Sequence, residues 1–227
     1  MTASPTKPAA LLLDVGVVLL KSAWEIADRF EELCGLEPRT IPGRGPFDEG
    51  GDPLWQRHLA GELTERDYWL GNADVAVSRG APLRGQPHLM RAMFQHPEIT
   101  PHRPEALALL RWARAEGITT AVFSNELMDF QGREWVERQE WFPLFDLIVD
   151  ATEVGIRKPD LRIYDLVVER VGVPAAGCVF VDDNPSYVAA GTEAGMVSVF
   201  LDVLDPAAAF DRARTELNAI RSVDSDG

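Results

Sequence analysis

The chain has 227 residues, room for one large α/β domain or a core with a smaller insert. Its 36 Asp and Glu against 22 Lys and Arg give a net charge of −14, which disfavours the clustered basic surface that nucleic-acid backbones require. Hydrophobic residues make up 46% of the chain, yet no stretch approaches the roughly 18 consecutive apolar residues of a membrane span.

The opening, Met1-Thr2-Ala3-Ser4-Pro5-Thr6-Lys7, is polar, and the apolar run behind it is interrupted by Asp14, which argues against a secretory signal. That run, residues 11–20, reads as a strand buried on both faces of a parallel sheet, with Gly16 two positions after the carboxylate. An Asp where a core strand ends either caps the next turn or does chemistry, because open α/β sheets bind ligands at the carboxyl ends of their strands. Residues 22–35 carry a helical pattern of Trp24, Ile26, Ala27, Phe30 and Leu33. Residues 37–53 are too rich in Pro and Gly for a regular element and read as an irregular loop on the surface or over a site. Helix resumes at 54–59, again after Thr64 as N-cap, and between Pro87 and Phe94. Residues 22–98 are therefore expected to form a small helical insert.

From Thr100 the rhythm alternates. A helix opens at Pro104 and stops at Gly117; a β-branched strand, 119–123, ends at Ser124-Asn125. A short strand follows at 146–150, an amphipathic helix at 160–171 closed by Gly172, a strand at 178–181 ending in Asp182-Asp183-Asn184, and a last strand at 196–200. Asp205-Pro206 opens a final helix, and residues 222–227 read as a frayed tail. Strands alternating with helices predict an α/β fold: a doubly wound parallel sheet from 1–21 and 99–227, with the helical cap 22–98 inserted. Cys34 and Cys178 lack metal-type spacing and read as two buried, reduced thiols of a cytoplasmic protein.

In such a sheet Asp14, Ser124, Asn125, Lys158, Asp182 and Asp183 fall along one edge and can converge. Carboxylates with a backbone carbonyl and water make an oxygen cage suited to Mg²⁺. A hydroxyl, an amide and an ammonium supply donors and positive charge for a phosphoryl group. A carboxylate on the phosphorus side can act as nucleophile. Each piece also has a plain reading: Ser124-Asn125 as a turn, Lys158 as a solvated loop lysine, Asp182-Asp183-Asn184-Pro185 as an Asx-type turn.

Four ordered motifs, LLLDVGVVLL, TTAVFSNE, GIRKPDLRIYDLV and VFVDDNPSYVAAGTEAGM, resemble those of the haloacid dehalogenase superfamily, in the branch of phosphatases with a small helical cap. Gly61-Glu62-Leu63-Thr64 followed by Tyr68-Trp69 fits the same branch, near sugar phosphatases and the phosphatase domain of bifunctional epoxide hydrolases. The resemblance implies Asp14 as nucleophile and Ser124 and Asn125 as phosphoryl contacts, with Lys158 as the neutralising cation. It implies a Mg²⁺ site from Asp14, the Gly16 carbonyl, Asp182 and Asp183, and a small phosphorylated metabolite as substrate; the acidic charge and the lack of a long apolar run add the expectation of no nucleic acid or membrane partner. Most such phosphatases carry a second Asp, the acid/base, where this chain has Gly16, and a glycine where it has Val17. Asp48, Glu49, Asp52 and His58 are the candidates for a replacement proton donor. The alternatives are a catalytically weakened relative that binds a phosphorylated ligand or partner, a 2-haloacid dehalogenase using the same Asp14, and a phosphomutase.

Overall fold

The computed structural model describes residues 7–48, 51–84 and 86–222. These divide into two compact units. The first holds the residues up to Leu20, His102–Met128 and those from Val136 on; the second holds Lys21–Pro101 and Asp129–Trp135. In chain order the elements begin with β1 (Ala10–Leu13), α1 (Ala23–Leu33), α2 (Pro53–Leu59), α3 (Glu65–Ser78) and α4 (Gln86–Phe94). Then come α5 (Pro104–Ala115), β2 (Thr119–Ser124), α6 (Leu127–Gln131), α7 (Arg133–Glu137), β3 (Leu147–Asp150) and α8 (Ala151–Val154). The chain continues through α9 (Leu161–Val171), β4 (Cys178–Asp182), α10 (Pro185–Glu193), β5 (Val197–Phe200) and α11 (Pro206–Ser222). Among the described residues no helix is long and apolar enough to cross a membrane.

In the first unit five parallel strands lie in the order β3-β2-β1-β4-β5. Side chains alternate across a strand, and both faces here are apolar. Ala10, Leu12, Ala121, Phe123, Cys178 and Phe180 pack with Ile163, Tyr164 and Val167 of α9 and Ala190 of α10. Leu11, Leu13, Val122, Val179 and Val181, equally buried, face the opposite way, where α5 and α11 pack on β2 and β4. The chain runs from the central β1 out to β2 and β3, then returns to β4 and β5 on the other side. The carboxyl ends of β1 and β4 therefore flank a topological switch point, the place where open α/β sheets bind ligands.

The apolar run 11–20 does not stay extended. The strand stops at Leu13, and Val15–Leu19 make a single π-helical turn closed by the Leu20 N–H on the Val15 carbonyl at 2.9 Å. Val17 takes φ 60°, ψ −28°, a conformation that β-branched residues avoid. Two donors from Arg103 hold the turn: its Nε reaches the Val17 carbonyl at 2.5 Å and its main-chain N–H the Leu19 carbonyl at 3.0 Å. Backbone strain of this kind, of order 1–3 kcal/mol, persists only where the surroundings fix it.

The second unit is built on capped helices. Ser22 and Thr64 form capping boxes with Glu25 and Asp67, and Asp52 caps α2. Trp24, Trp55, Tyr68 and Trp69 pack edge-on and stacked with centroids 4.9–6.2 Å apart. Residues 37–48, 51 and 52 are irregular apart from a 3₁₀ turn at Gly45–Phe47, but buried charge ties this stretch down. Arg44 uses all five donors, on Asp28, Glu31 and the carbonyls of Ile41 and Gly43. Glu31 also accepts the N–H groups of Arg39 and Ile41. The segment Asp129–Trp135 belongs to this unit because Arg91 holds the carbonyls of Phe130 and Asp129, and Gln95 that of Gln131. Cys34, expected to be buried, is exposed at the end of α1; Cys178 is buried, and both are free thiols.

Candidate active site

Register brings the polar groups together. Leu13 lies level with Val181 in β4, and the Asp14 N–H bonds to the Val181 carbonyl at 3.1 Å, so Asp14 and Asp182 leave adjacent strands side by side. Carboxylate oxygens of Asp14, Asp182 and Asp183 lie within 4.8 Å of one another. Lys158, on the loop between α8 and α9, reaches the same point. Its Nζ donates to Asp14 Oδ1 at 3.0 Å, to Asp182 Oδ2 at 2.5 Å and to the Phe123 carbonyl at 2.9 Å. The rings of Phe123, Phe180 and Tyr187 surround that ammonium, with centroids 5.1, 5.3 and 5.1 Å away.

Burial separates the roles. The side chains of Lys158 and Asp182 are each 1% exposed and that of Asp14 is 15% exposed, so of these three it is Asp14 that faces outward. Asp182 has its other oxygen on the Asn184 N–H at 2.8 Å. Burial pushes the Asp14 carboxyl up to about 6, with Lys158 pulling it down and Asp182 raising it further. Burial alone would depress Lys158, but Asp14 and Asp182 outweigh it and hold the ammonium well above the usual lysine range. Lys158 is thus a fixed cation rather than a proton donor. Three carboxylates gathered beside one lysine ammonium offer hard oxygen donors, the kind that fits a divalent cation such as Mg²⁺.

Ser124 is buried at the end of β2, and its Oγ accepts the Glu126 N–H at 3.4 Å, which leaves the hydroxyl hydrogen available to donate. Asn125, expected to contact a phosphoryl group, has its side chain engaged elsewhere. Oδ1 accepts the Lys158 N–H at 2.8 Å, and Nδ2 donates to the Lys158 carbonyl at 3.1 Å and the Tyr187 hydroxyl at 3.2 Å. Both amide hydrogens are occupied, so the side chain has none for an anion. Gly16 is exposed at φ −60°, ψ 137°, a backbone any residue adopts. A Cβ built there meets only Asp14 Oδ2, at 3.9 Å.

The candidate proton donors of the second unit are largely structural. Asp52 is buried and accepts from the N–H groups of Arg44, Gly45 and Trp55 and from the Tyr68 hydroxyl. Asp48 pairs with Arg39 at 2.6 Å. His58 puts its Nδ1 hydrogen on the Leu63 carbonyl at 3.0 Å and packs on Trp55. Glu49 lies outside the described residues. Tyr187, which covers Lys158 and accepts from Asn125 62 positions away, and Arg103, which holds the π turn from 86 positions away, carry no local signal in the sequence.

The model of the haloacid dehalogenase-like hydrolases matches residues 16–195, starting two positions after Asp14. A phosphoserine phosphatase of Thermus thermophilus is 32% identical over 159 residues, 66% of this chain and 63% of that protein. A phosphoglycolate phosphatase of Pseudomonas savastanoi pv. phaseolicola is 26% identical over 198 residues, 86% of this chain and 69% of that one. The chain spans only 18% of the length of acyl-CoA dehydrogenase family member 10 of Mus musculus, to which it is 26% identical over 196 residues. Among solved structures, HAD-hydrolase YfnB of Bacillus subtilis, bound to magnesium, aligns with a TM-score of 0.65 at 17% identity, covering 93% of this chain and 99% of that one. The L-2-haloacid dehalogenase RSc1362 aligns with a TM-score of 0.60 at 22% identity, covering 94% and 100%. Likenesses at such identity speak for the fold alone, whereas the family match spans most of the chain. With the parallel sheet and the carboxylates at its switch point, it places this chain in the haloacid dehalogenase-like hydrolase family.

Proposed function

We propose that this chain is a Mg²⁺-dependent phosphomonoesterase acting on a small, sugar-phosphate-like metabolite through an aspartyl-phosphate on Asp14. The observation that carries this reading is the convergence of three carboxylates and one buried lysine at the sheet's switch point. An Asp14 oxygen attacks phosphorus, the bond from phosphorus to the ester oxygen breaks, and that oxygen leaves with the electron pair. Lys158 balances charge on the nucleophile and the transferring group, and the Ser124 hydroxyl donates to a phosphoryl oxygen. Water then attacks phosphorus, the bond to Asp14 breaks, and inorganic phosphate departs. Asp14, Asp183 and the Gly16 carbonyl would hold Mg²⁺, with Asp182 orienting, and the bound ion would supply Lewis-acid neutralisation of phosphoryl charge. The phosphatases among the relatives support a phosphorylated substrate. The free thiols Cys34 and Cys178 support a cytoplasmic setting.

The leaving oxygen has no proton donor at position 16. Turnover should therefore favour aryl phosphates, whose leaving groups need little protonation, over alkyl ones. The backbone does not require glycine there, so Gly16→Asp should raise alkyl phosphate hydrolysis by up to about 10²-fold, the low end of general acid help. The test of the reading is hydrolysis of an aryl phosphate and a sugar-phosphate panel, with Mg²⁺ and with EDTA, beside Asp14→Asn. Metal-dependent turnover that Asp14→Asn abolishes is the expected result. Mg²⁺ binding without turnover on any ester would favour the weakened, ligand-binding alternative that Gly16 suggests. Metal-independent hydrolysis of a 2-haloacid would favour the dehalogenase.

A further inference from the structure

Lys158 sits on a loop without a strand partner, yet its ammonium is held at three acceptors inside three aromatic rings. A lysine stem has four rotatable bonds, and placing its charge to within an ångström requires that the main chain beneath it be fixed. The Asn125 side chain does this. It takes the Lys158 N–H on Oδ1 at 2.8 Å and gives Nδ2–H to the Lys158 carbonyl at 3.1 Å, a two-point pairing that imitates a strand partner. The second Nδ2 hydrogen goes to the Tyr187 hydroxyl at 3.2 Å. The Tyr187 ring in turn covers the Lys158 ammonium, and the Tyr187 carbonyl is anchored by the Tyr164 hydroxyl at 2.8 Å. Main chain, amide and ring form a closed circuit around one cation.

We infer that Asn125 is a positioning residue, whose side chain clasps the Lys158 main chain and, with Tyr187, sets where the ammonium stands beside Asp14. The inference rests on the phosphatase reading only for its effect on turnover; the placement of the ammonium is measurable without any substrate. The chain has three lysines, Lys7, Lys21 and Lys158, so nitrogen-15 spectra of lysine ammonium groups are simple to assign. The wild-type protein should show one slowly exchanging ammonium resonance, displaced by the surrounding rings and absent in Lys158→Arg. In Asn125→Ala this resonance should move or be lost to exchange, with kcat falling about 10²-fold and inhibition by inorganic phosphate changing less than about threefold. Tyr187→Phe keeps the ring and loses the hydroxyl, so it should displace the resonance less; it carries the same test should Asn125→Ala fail to fold. A wild-type protein without a protected ammonium resonance would overturn the inference. So would an unmoved resonance in both variants, or one unmoved in Asn125→Ala beside a loss of phosphate inhibition greater than about tenfold, the signature of a direct anion contact. A displaced resonance in a protein that hydrolyses no phosphate ester would keep the clasp and discard the phosphatase.

Discussion

Each compact unit buries a cluster of charge, Arg44 with Glu31 in the helical unit and Lys158 with Asp182 in the sheet unit, and the two clusters are built differently. In the helical unit Arg44 and Glu31 are both buried and opposite in sign, and the further partner Asp28 is 82% exposed, its charge left in water. Among the described residues Asp52 has no cation partner, but it receives four hydrogen bonds, and the result is a fixed loop. In the sheet unit Lys158 is just as saturated, on Asp14, Asp182 and the Phe123 carbonyl, and Asp183 adds a third carboxylate within 4.8 Å of the other two. Three carboxylates gathered at the end of the sheet repel one another, and a divalent cation would lower that cost; the Arg44 cluster gathers no such set.

Removing either cation tests this contrast most strongly. Arg44→Met and Lys158→Met should each cost about 3–5 kcal/mol in denaturant unfolding, because a buried carboxylate loses its partner. Added Mg²⁺ should recover part of the loss in Lys158→Met and none in Arg44→Met; equal recovery in both would erase the distinction. In the wild type, Mg²⁺ at a hundred times its Kd should stabilise by about 2.7 kcal/mol, reversed by EDTA. Asp183→Asn should weaken that response, whereas Asp52→Asn should leave it intact. Asp14 gives a subtler reading. Its folded pKa of about 6 lies above the ordinary 3.8, so the folded state favours the proton, and the stabilisation it gives is present below pH 4 and lost as pH rises through 6. In EDTA at pH 8, Asp14→Asn should be more stable than wild type by about 1–3 kcal/mol, the gap closing as pH falls to 4. The smallest effect is at the thiols: a disulfide reagent should titrate the exposed Cys34 in the native protein and reach Cys178, which burial pushes up to about 12, only on unfolding.

What could be read from the sequence was local. Ser22, Thr64 and Asp160 announced helix starts, Gly117 and Gly172 helix stops, and the apolar runs named all five strands to within a residue or two once β1 was cut at Leu13. The polar residues at those strand ends were visible for the same reason. The π turn was not, because Val17 resists the conformation it adopts and Arg103 holds it from 86 positions away. Short helices such as α6, α7 and α8 span barely a turn and show no period. The loop at 37–53 was legible as irregular, but its Glu31–Arg44 anchor spans 13 positions, and Asp52, read as a proton donor, is a cap and hydrogen-bond hub. Asn125 reads from the sequence as a phosphoryl contact at the strand ends, whereas its side chain is engaged by Lys158 and Tyr187. Its partner there, the Lys158 main chain, became visible only once the fold set them 33 positions apart in sequence and side by side in space.

Asp14 is proposed to carry the phosphoryl group. The direct measurement is acid quenching during turnover of an activated aryl phosphate with Mg²⁺, followed by mass mapping of the peptides. A phosphoryl group on the peptide bearing Asp14, formed within one turnover and absent from Asp14→Asn, is the predicted result. Turnover that proceeds at full rate in Asp14→Asn, or a phosphoryl group trapped on another residue, would contradict it.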